Sequence, residues 1–359
     1  MNLRTGGFSV VKTTRNSFLK TFKYLVIASI LFGTMPLFVN ILTPYLSDST
    51  IIIGRFMISF LILLLYCLLS KKNLRLDNAQ DTVWVVIAGL FMIAYAFAFV
   101  RALDIYGSSR TLVWTYIFVI LTTSLHDEIK YFGNTKERDS KYFFQTIVSI
   151  LVLFFALVFS NPLDEFSVRG IIDSMSWTSL GAISGFLFGM RIIFIKYVLD
   201  MKIETNGKTK NAYNNREEAV LLREQLFTFI FALSFMIIAP YLEINANNMN
   251  TFSFSIENIY GWLPLFVLVL LAGVSTAIPG VLLYKGLSVV KNSSSSQTIA
   301  TLEIVIGVML MAIFTEEIMQ PQQYFSTLLI FVAIAIKTNF ICELRECLIS
   351  TKHNEGTTN

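Results

Sequence analysis

The sequence predicts an all-α integral membrane protein, with ten transmembrane helices arranged as two inverted five-helix repeats around a central cavity. Three observations lead there. The first is composition: 55% of the 359 residues are hydrophobic and only 14% are charged, against about 25% charged in an average soluble domain. The second is a series of ten apolar runs, each close to the ~20 residues that a bilayer span needs. The third is a set of short motifs that recur in the same order in both halves of the chain.

With 32 Phe, 12 Met and a mean hydropathy of +0.64, the chain has too little polar surface for a cytosolic enzyme, a nucleic-acid binder or a disordered protein. Three cysteines, Cys67, Cys342 and Cys347, do not make a disulfide framework. Two histidines, His126 and His353, are too few for a His-rich metal site. No cofactor or metal is expected.

The ten runs fall at roughly 24–43, 50–70, 83–103, 108–125, 142–160, 177–198, 219–241, 262–284, 295–314 and 324–342. Their apolar stretches are continuous, as in Leu61 to Leu65, whereas barrel strands alternate apolar and polar residues. The first run follows Arg4, Lys12, Arg15, Lys20 and Lys23. It is longer than a signal-peptide core and lacks a small-residue cleavage site, so it reads as a retained span. The organisation is then an N-terminal segment 1–23, a first five-helix repeat 24–160, a second repeat 177–342 and a C-terminal tail 343–359.

Orientation follows from Lys and Arg in the short loops. Lys71, Lys72 and Arg75 lie after the second span. Lys130, Lys136, Arg138 and Lys141 lie after the fourth, and Lys202, Lys208, Lys210 and Arg216 after the sixth. Lys285 and Lys291 follow the eighth, and the tail holds Arg345 and Lys352. The alternate loops carry Arg169 alone. Both termini are therefore expected in the cytoplasm, in a bacterial inner membrane. Arg101 and Arg110, flanking the turn Asp104–Ser108 on the outer side, depart from the pattern.

The halves match at several places. Leu31-Phe-Gly33 recurs as Leu187-Phe-Gly189, and Arg55 near the start of the second span recurs as Arg223 near the start of the seventh. Phe99-Val-Arg-Ala-Leu103 is similar to Leu283-Tyr-Lys-Gly-Leu287, each followed by a Ser-rich turn. Asp127-Glu128 answers to Glu316-Glu317. Because five is odd, the second half enters the membrane from the opposite side, a construction common in secondary transporters.

The arrangement resembles the drug/metabolite transporter superfamily in its ten-span EamA-type branch. The resembling residues are Arg55-Phe56, Arg101-Ala-Leu103, Lys285-Gly-Leu287, and Thr301-Leu-Glu-Ile-Val-Ile-Gly307 running on to Glu316-Glu317. The family often has Pro after the Leu-Glu pair, where Ile304 stands here. The resemblance implies the fold, the transporter class, and a cavity lined by spans three, four and eight. Family members carry amino acids, nucleotide-like metabolites such as S-adenosylmethionine, and drug-like compounds.

A charge in mid-bilayer is costly and faces a cavity or a partner. Arg191 in span six and Glu303 in span nine lie roughly 10 and 12 Å from the same predicted membrane face. They are expected to meet, either as a packing pair or in the substrate site, with Arg191 on a carboxylate or phosphate and Glu303 on an amine or proton. Arg55 and Arg223 lie within about 8 Å of a predicted end, so their side chains are expected to reach the interface. Glu224, Lys196, Lys285 and Lys337 read the same way. Gly181, Gly185 and Gly189 form a small-residue stripe for close helix packing, and Arg191 lies about 200° around from Gly189. Pro36 and Pro279, with Gly33 and Gly280 nearby, are expected hinges, with Ser275 and Thr276 placed to satisfy carbonyls freed by Pro279. Tyr95, Trp114, Tyr116 and Tyr284 are cavity candidates through the resemblance, with a lipid-facing position as the alternative. Trp114 aligns with Glu303 across the repeat.

The functional expectation is a secondary transporter moving a small metabolite by alternating access, without ATP hydrolysis, since there is no Walker A sequence. Its partners are the substrate, the bilayer, and a proton or counter-substrate, as a monomer or homodimer. The alternative is an integral membrane enzyme, for which His126 beside Asp127-Glu128 is the one local cluster, or a structural or receptor protein.

Overall fold

The computed structural model describes residues 23–72, 79–132, 140–159, 179–200, 216–238, 262–288, 302–314 and 321–337. These residues form helices and short turns, with no strand among them. Arg4, Lys12, Arg15, Lys20, Arg345 and Lys352 of the two termini, Glu316-Glu317, Arg169, Lys291 and the serine run 293–296 lie outside the described residues, as do Cys342, Cys347 and His353.

Helices occur at all ten expected positions. The first is split: α1 (23–32) and α2 (Met35–Leu42) are separated by a turn at Gly33-Thr34. Then come α3 (Asp48–Leu69), α4 (Ala79–Tyr106), α5 (Ser108–Phe132) and α6 (Ser140–Phe159). The second half holds α7 (Ser179–Asp200), α8 (Arg216–Ile238) and α9 (Trp262–Ala272). A π-helical turn (Gly273–Ala277) joins α9 to α10 (Ile278–Leu287), and α11 (Leu302–Phe314) and α12 (Pro321–Lys337) follow. Among the described residues, six helices are long and apolar enough to cross a membrane: Lys23–Leu42, Asp48–Leu69, Ala79–Ile105, Leu180–Leu199, Arg216–Ile237 and Trp262–Leu287. The bundle's outer surface is studded with large apolar side chains such as Leu65, Phe144, Phe154, Phe266 and Ile313, a surface suited to lipid rather than water.

Local sequence explains the joints. Ser47 caps α3 by accepting from the Thr50 N–H. Between α4 and α5 only Gly107 intervenes, at φ 77°, a left-handed conformation that a side chain disfavours. The expected turn Asp104–Ser108 is thus tighter than predicted. Helix α7 packs most extensively on α4 and α5, α8 on α3 and α4, and α12 on α6. The glycine stripe of α7 makes this close approach possible: a Cβ at Gly185 would stand 2.1 Å from the Thr115 carbonyl oxygen. Thr115 Oγ1 and Ser184 Oγ, 2.7 Å apart, add a polar tie at the same seam.

Candidate functional site

Two broken helices meet in the middle of the bundle. At the first break, Thr34 Oγ1 donates to Leu31 O (2.6 Å) and lies 2.6 Å from Ser275 Oγ in the π turn. The chain approaches α11 closely here, because a Cβ on Gly33 would lie 3.0 Å from the Glu303 carbonyl oxygen. At the second break, the Ile278 N–H bonds Gly273 O, five residues back, and Thr276 Oγ1 donates to Leu271 O (3.0 Å). The carbonyl that Thr276 satisfies lies five residues back, in the π register, and is not one that Pro279 frees, which differs from the expected role. Ser275 instead ties the two breaks together. Pro36 and Pro279 each sit in the first turn of the helix after a break, where a missing N–H costs least. Gly280 packs on Leu221.

Four ionisable side chains among the described residues are buried around these breaks: Arg55, Arg191, Glu224 and Glu303, at 3%, 2%, 0% and 3% exposure. The expected meeting of Arg191 with Glu303 does not occur. Arg191 gives its planar fork to Glu224, Nε–Oε1 at 2.6 Å and Nη2–Oε2 at 3.0 Å. Tyr284 completes a closed triad: its hydroxyl donates to Glu224 and accepts from Arg191 Nη2 (3.2 Å). The guanidinium also lies over the Phe188 ring at 5.1 Å. Helix α8 begins at Arg216, so Glu224 lies about 12 Å inside the bundle rather than near the surface.

Arg55 also lies elsewhere than its depth in the span predicts. It does not reach for an interface; its Nε donates to Thr276 Oγ1 (2.7 Å) and its guanidinium lies 5.2 Å from the Phe56 ring centre. Glu303 is hydrogen-bonded by the Tyr116 hydroxyl and lies in the field of Arg55. Tyr95 is within electrostatic reach of Glu303, Arg55 and Arg191, and its ring packs on Phe188 at 4.7 Å. The site is therefore Arg55, Glu303, Tyr95 and Tyr116, with the Arg191–Glu224–Tyr284 triad beside it. All four aromatic candidates are buried, so none faces lipid. Trp114, however, stays apart from the cluster. It packs on Gly181 and stacks on Phe118 at 6.1 Å, a place in the α5–α7 seam.

At the end of the bundle where α8 begins, a second set of charges ties helix ends together. Glu218 lies 3.1 Å from Lys285 Nζ and 3.6 Å from Lys72 Nζ. Arg216 pairs with Asp81 at 2.8 Å and donates to Val198 O. Lys196 is buried and donates to Leu287 O (3.1 Å), which replaces its expected interfacial position. Arg223 is part-buried and donates to Thr82. At the other end, Arg101 pairs with Asp104 at 2.9 Å, an exposed contact of small energetic weight. His126 lies 3.5 Å from Asp127, and Glu128 accepts from Thr146 (2.8 Å). No group of three or more His, Cys, Asp or Glu side chains able to hold a metal occurs among the described residues.

A further match between the two halves of the chain is carried by serine–carbonyl bonds. Ser149 Oγ donates to Ala333 O (3.0 Å) and Ser326 Oγ donates to Ala156 O (2.6 Å), a reciprocal pair between α6 and α12. The two serines and the two alanines are each 177 positions apart, and the segments Ser149-Ile-Leu-Val-Leu-Phe-Phe-Ala156 and Ser326-Thr-Leu-Leu-Ile-Phe-Val-Ala333 align throughout. Self-comparison at that offset would have found them.

No family model matches the chain, and no curated protein matches it in sequence. A solved structure described simply as a crystal structure of protein aligns over 90% of this chain and 98% of its own, with a TM-score of 0.59 and 14% identity. The likeness extends to the fold.

Proposed function

We propose that the chain is a secondary transporter, built from ten membrane spans in two inverted repeats, that moves a small metabolite across a bacterial inner membrane. The observation that carries this reading is a buried, charged centre flanked by two broken helices. Irregular backbone in a membrane is tolerated where it lines a cavity or is buried in protein, and transporters place binding sites at such breaks.

The inverted repeat is supported by contacts that pair up when the halves are exchanged. The Ser149–Ala333 and Ser326–Ala156 bonds are each other's counterparts. Gly33 of the first span meets α11, while Gly189 of the sixth meets α5, the counterpart of α11. Arg55 reaches the eighth span at Thr276, while Arg223 reaches the third at Thr82. Two similar halves can exchange shapes and open a shared centre to one side, then the other. The loop charges put the α8-starting end, with its Glu218 and Asp81 ion pairs, on the cytoplasmic side.

The test is a radiolabelled-metabolite uptake and efflux screen in bacterial cells producing the chain, against cells producing Glu303→Gln. Transport of at least one metabolite is expected, with loss in the variant at equal membrane content. A screen in which cells with and without the chain behave alike would sink the transporter reading.

A further inference from the structure

We infer that the central site takes a zwitterion, with an anionic group on Arg55 and a cationic group on Glu303. This rests on the transporter reading above only for the location of the site. The argument is one of charge accounting. Two basic and two acidic side chains are buried together, equal in number. Arg191 and Glu224 cancel each other through two short hydrogen bonds, and Tyr284 takes up their remaining capacity. Arg55 and Glu303 are left over.

These two do not pair. No ion pair joins them among the described residues, and each has a neutral partner instead, Thr276 for Arg55 and Tyr116 for Glu303. The only side-chain hydrogen bond of Arg55 among the described residues uses Nε, which leaves the two terminal nitrogens of its fork for a carboxylate or similar anion.

They are nonetheless neighbours. Arg55 holds Thr276; Ser275, next in the chain, touches Thr34; and Gly33, next to Thr34, lies against the Glu303 backbone. Each charge lies in the other's field, with Tyr95 in the field of both. A buried charge without a counter-charge is costly. A ligand with both signs relieves both costs together, whereas a ligand with one sign leaves the other charge desolvated and unmatched.

The probes are α-, β- and γ-amino acids as zwitterions, their methyl esters, which keep only the cation, and their N-acetyl forms, which keep only the anion. Each is added to the purified full-length protein in detergent, and the melting temperature is followed against concentration. At least one zwitterion is expected to raise it saturably. Its ester and N-acetyl forms should bind about tenfold or more weakly, the effect of one unmatched buried charge. In Glu303→Gln the N-acetyl penalty should shrink while the ester penalty remains, and Arg55→Met should do the reverse.

If the variants do not fold, the discrimination by the unaltered protein decides alone. No shift with any zwitterion, or a singly charged form binding as well as its parent, would overturn the inference. Uptake by proteoliposomes separates it from the transporter reading. Selective binding without uptake upholds the ligand class and removes transport. Uptake of a singly charged compound, with no zwitterion bound, does the opposite.

Discussion

Arg191→Met is the sharpest probe of how the buried charges are partitioned. Arg191 and Glu224 share two hydrogen bonds, at 2.6 and 3.0 Å, with side chains 3% and 0% exposed. Removing the cation leaves the Glu224 carboxylate desolvated with only the Tyr284 hydroxyl, at a cost of about 3–5 kcal/mol. Adding Glu224→Gln removes the stranded charge while keeping an acceptor for Tyr284. The double variant should then lose only the value of the lost hydrogen bonds, about 1–3 kcal/mol. The two changes therefore couple by about 2 kcal/mol or more. The second cycle pairs Arg191→Met with Glu303→Gln. These residues share no hydrogen bond or ion pair among those described, so their coupling should be well below that of Arg191 with Glu224. Reversible unfolding in mixed detergent and dodecyl sulfate gives the free energies. Strong coupling of Arg191 to Glu303, with additivity between Arg191 and Glu224, would refute the partition.

Gly185→Ala places a methyl 2.1 Å from a backbone oxygen and 2.8 Å from Phe118 Cβ. Overpacking of that kind costs about 1–3 kcal/mol or more, and the yield of monodisperse protein should fall sharply. Gly273→Ala meets only Ile62 Cδ1 at 3.4 Å and serves as the control; equal yields would show that the α5–α7 seam is not a tight contact. Pro279→Ala restores an N–H after the π turn and should stiffen that region. Uptake should slow with membrane content unchanged, and an unaltered rate would remove the hinge role.

The fold was legible where one residue type dominates a long window. The apolar runs marked helices, six of them long and apolar enough among the described residues to cross a membrane, and the Gly181–Gly185–Gly189 spacing marked a close-packed seam with Arg191 turned away from it. The partner of Arg191 was not legible, because depth along a helix leaves several acids at equal height. A start three residues earlier than expected moved Glu224 into the bundle and into reach. Arg55 was misjudged for a related reason. Reach to an interface depends on what the side chain faces, and the π turn that presents Thr276 to it has no signature in sequence beyond Pro279 and two hydroxyl residues. Composition also fell short for α5, which is long but carries Arg110, Asp127, Glu128 and Lys130.

The reciprocal serine bonds have a consequence for motion. A contact lying on a two-fold axis maps onto itself when the two halves trade places, whereas a contact off the axis maps onto a different one. Under the proposed two-fold relation the two α6–α12 bonds map onto each other, so the pair as a whole is of the first kind. The Gly33–α11 and Gly189–α5 approaches are of the second, and they already differ, since the first span is broken beside its contact while α7 runs unbroken from Ser179 to Asp200. Under the proposed exchange of shapes, α6 and α12 are the stator, unchanged in both states. The break at Gly33-Thr34 would heal as a matching one opens in α7 near Gly189, so that the irregularity travels from one half to the other while the axis stands still.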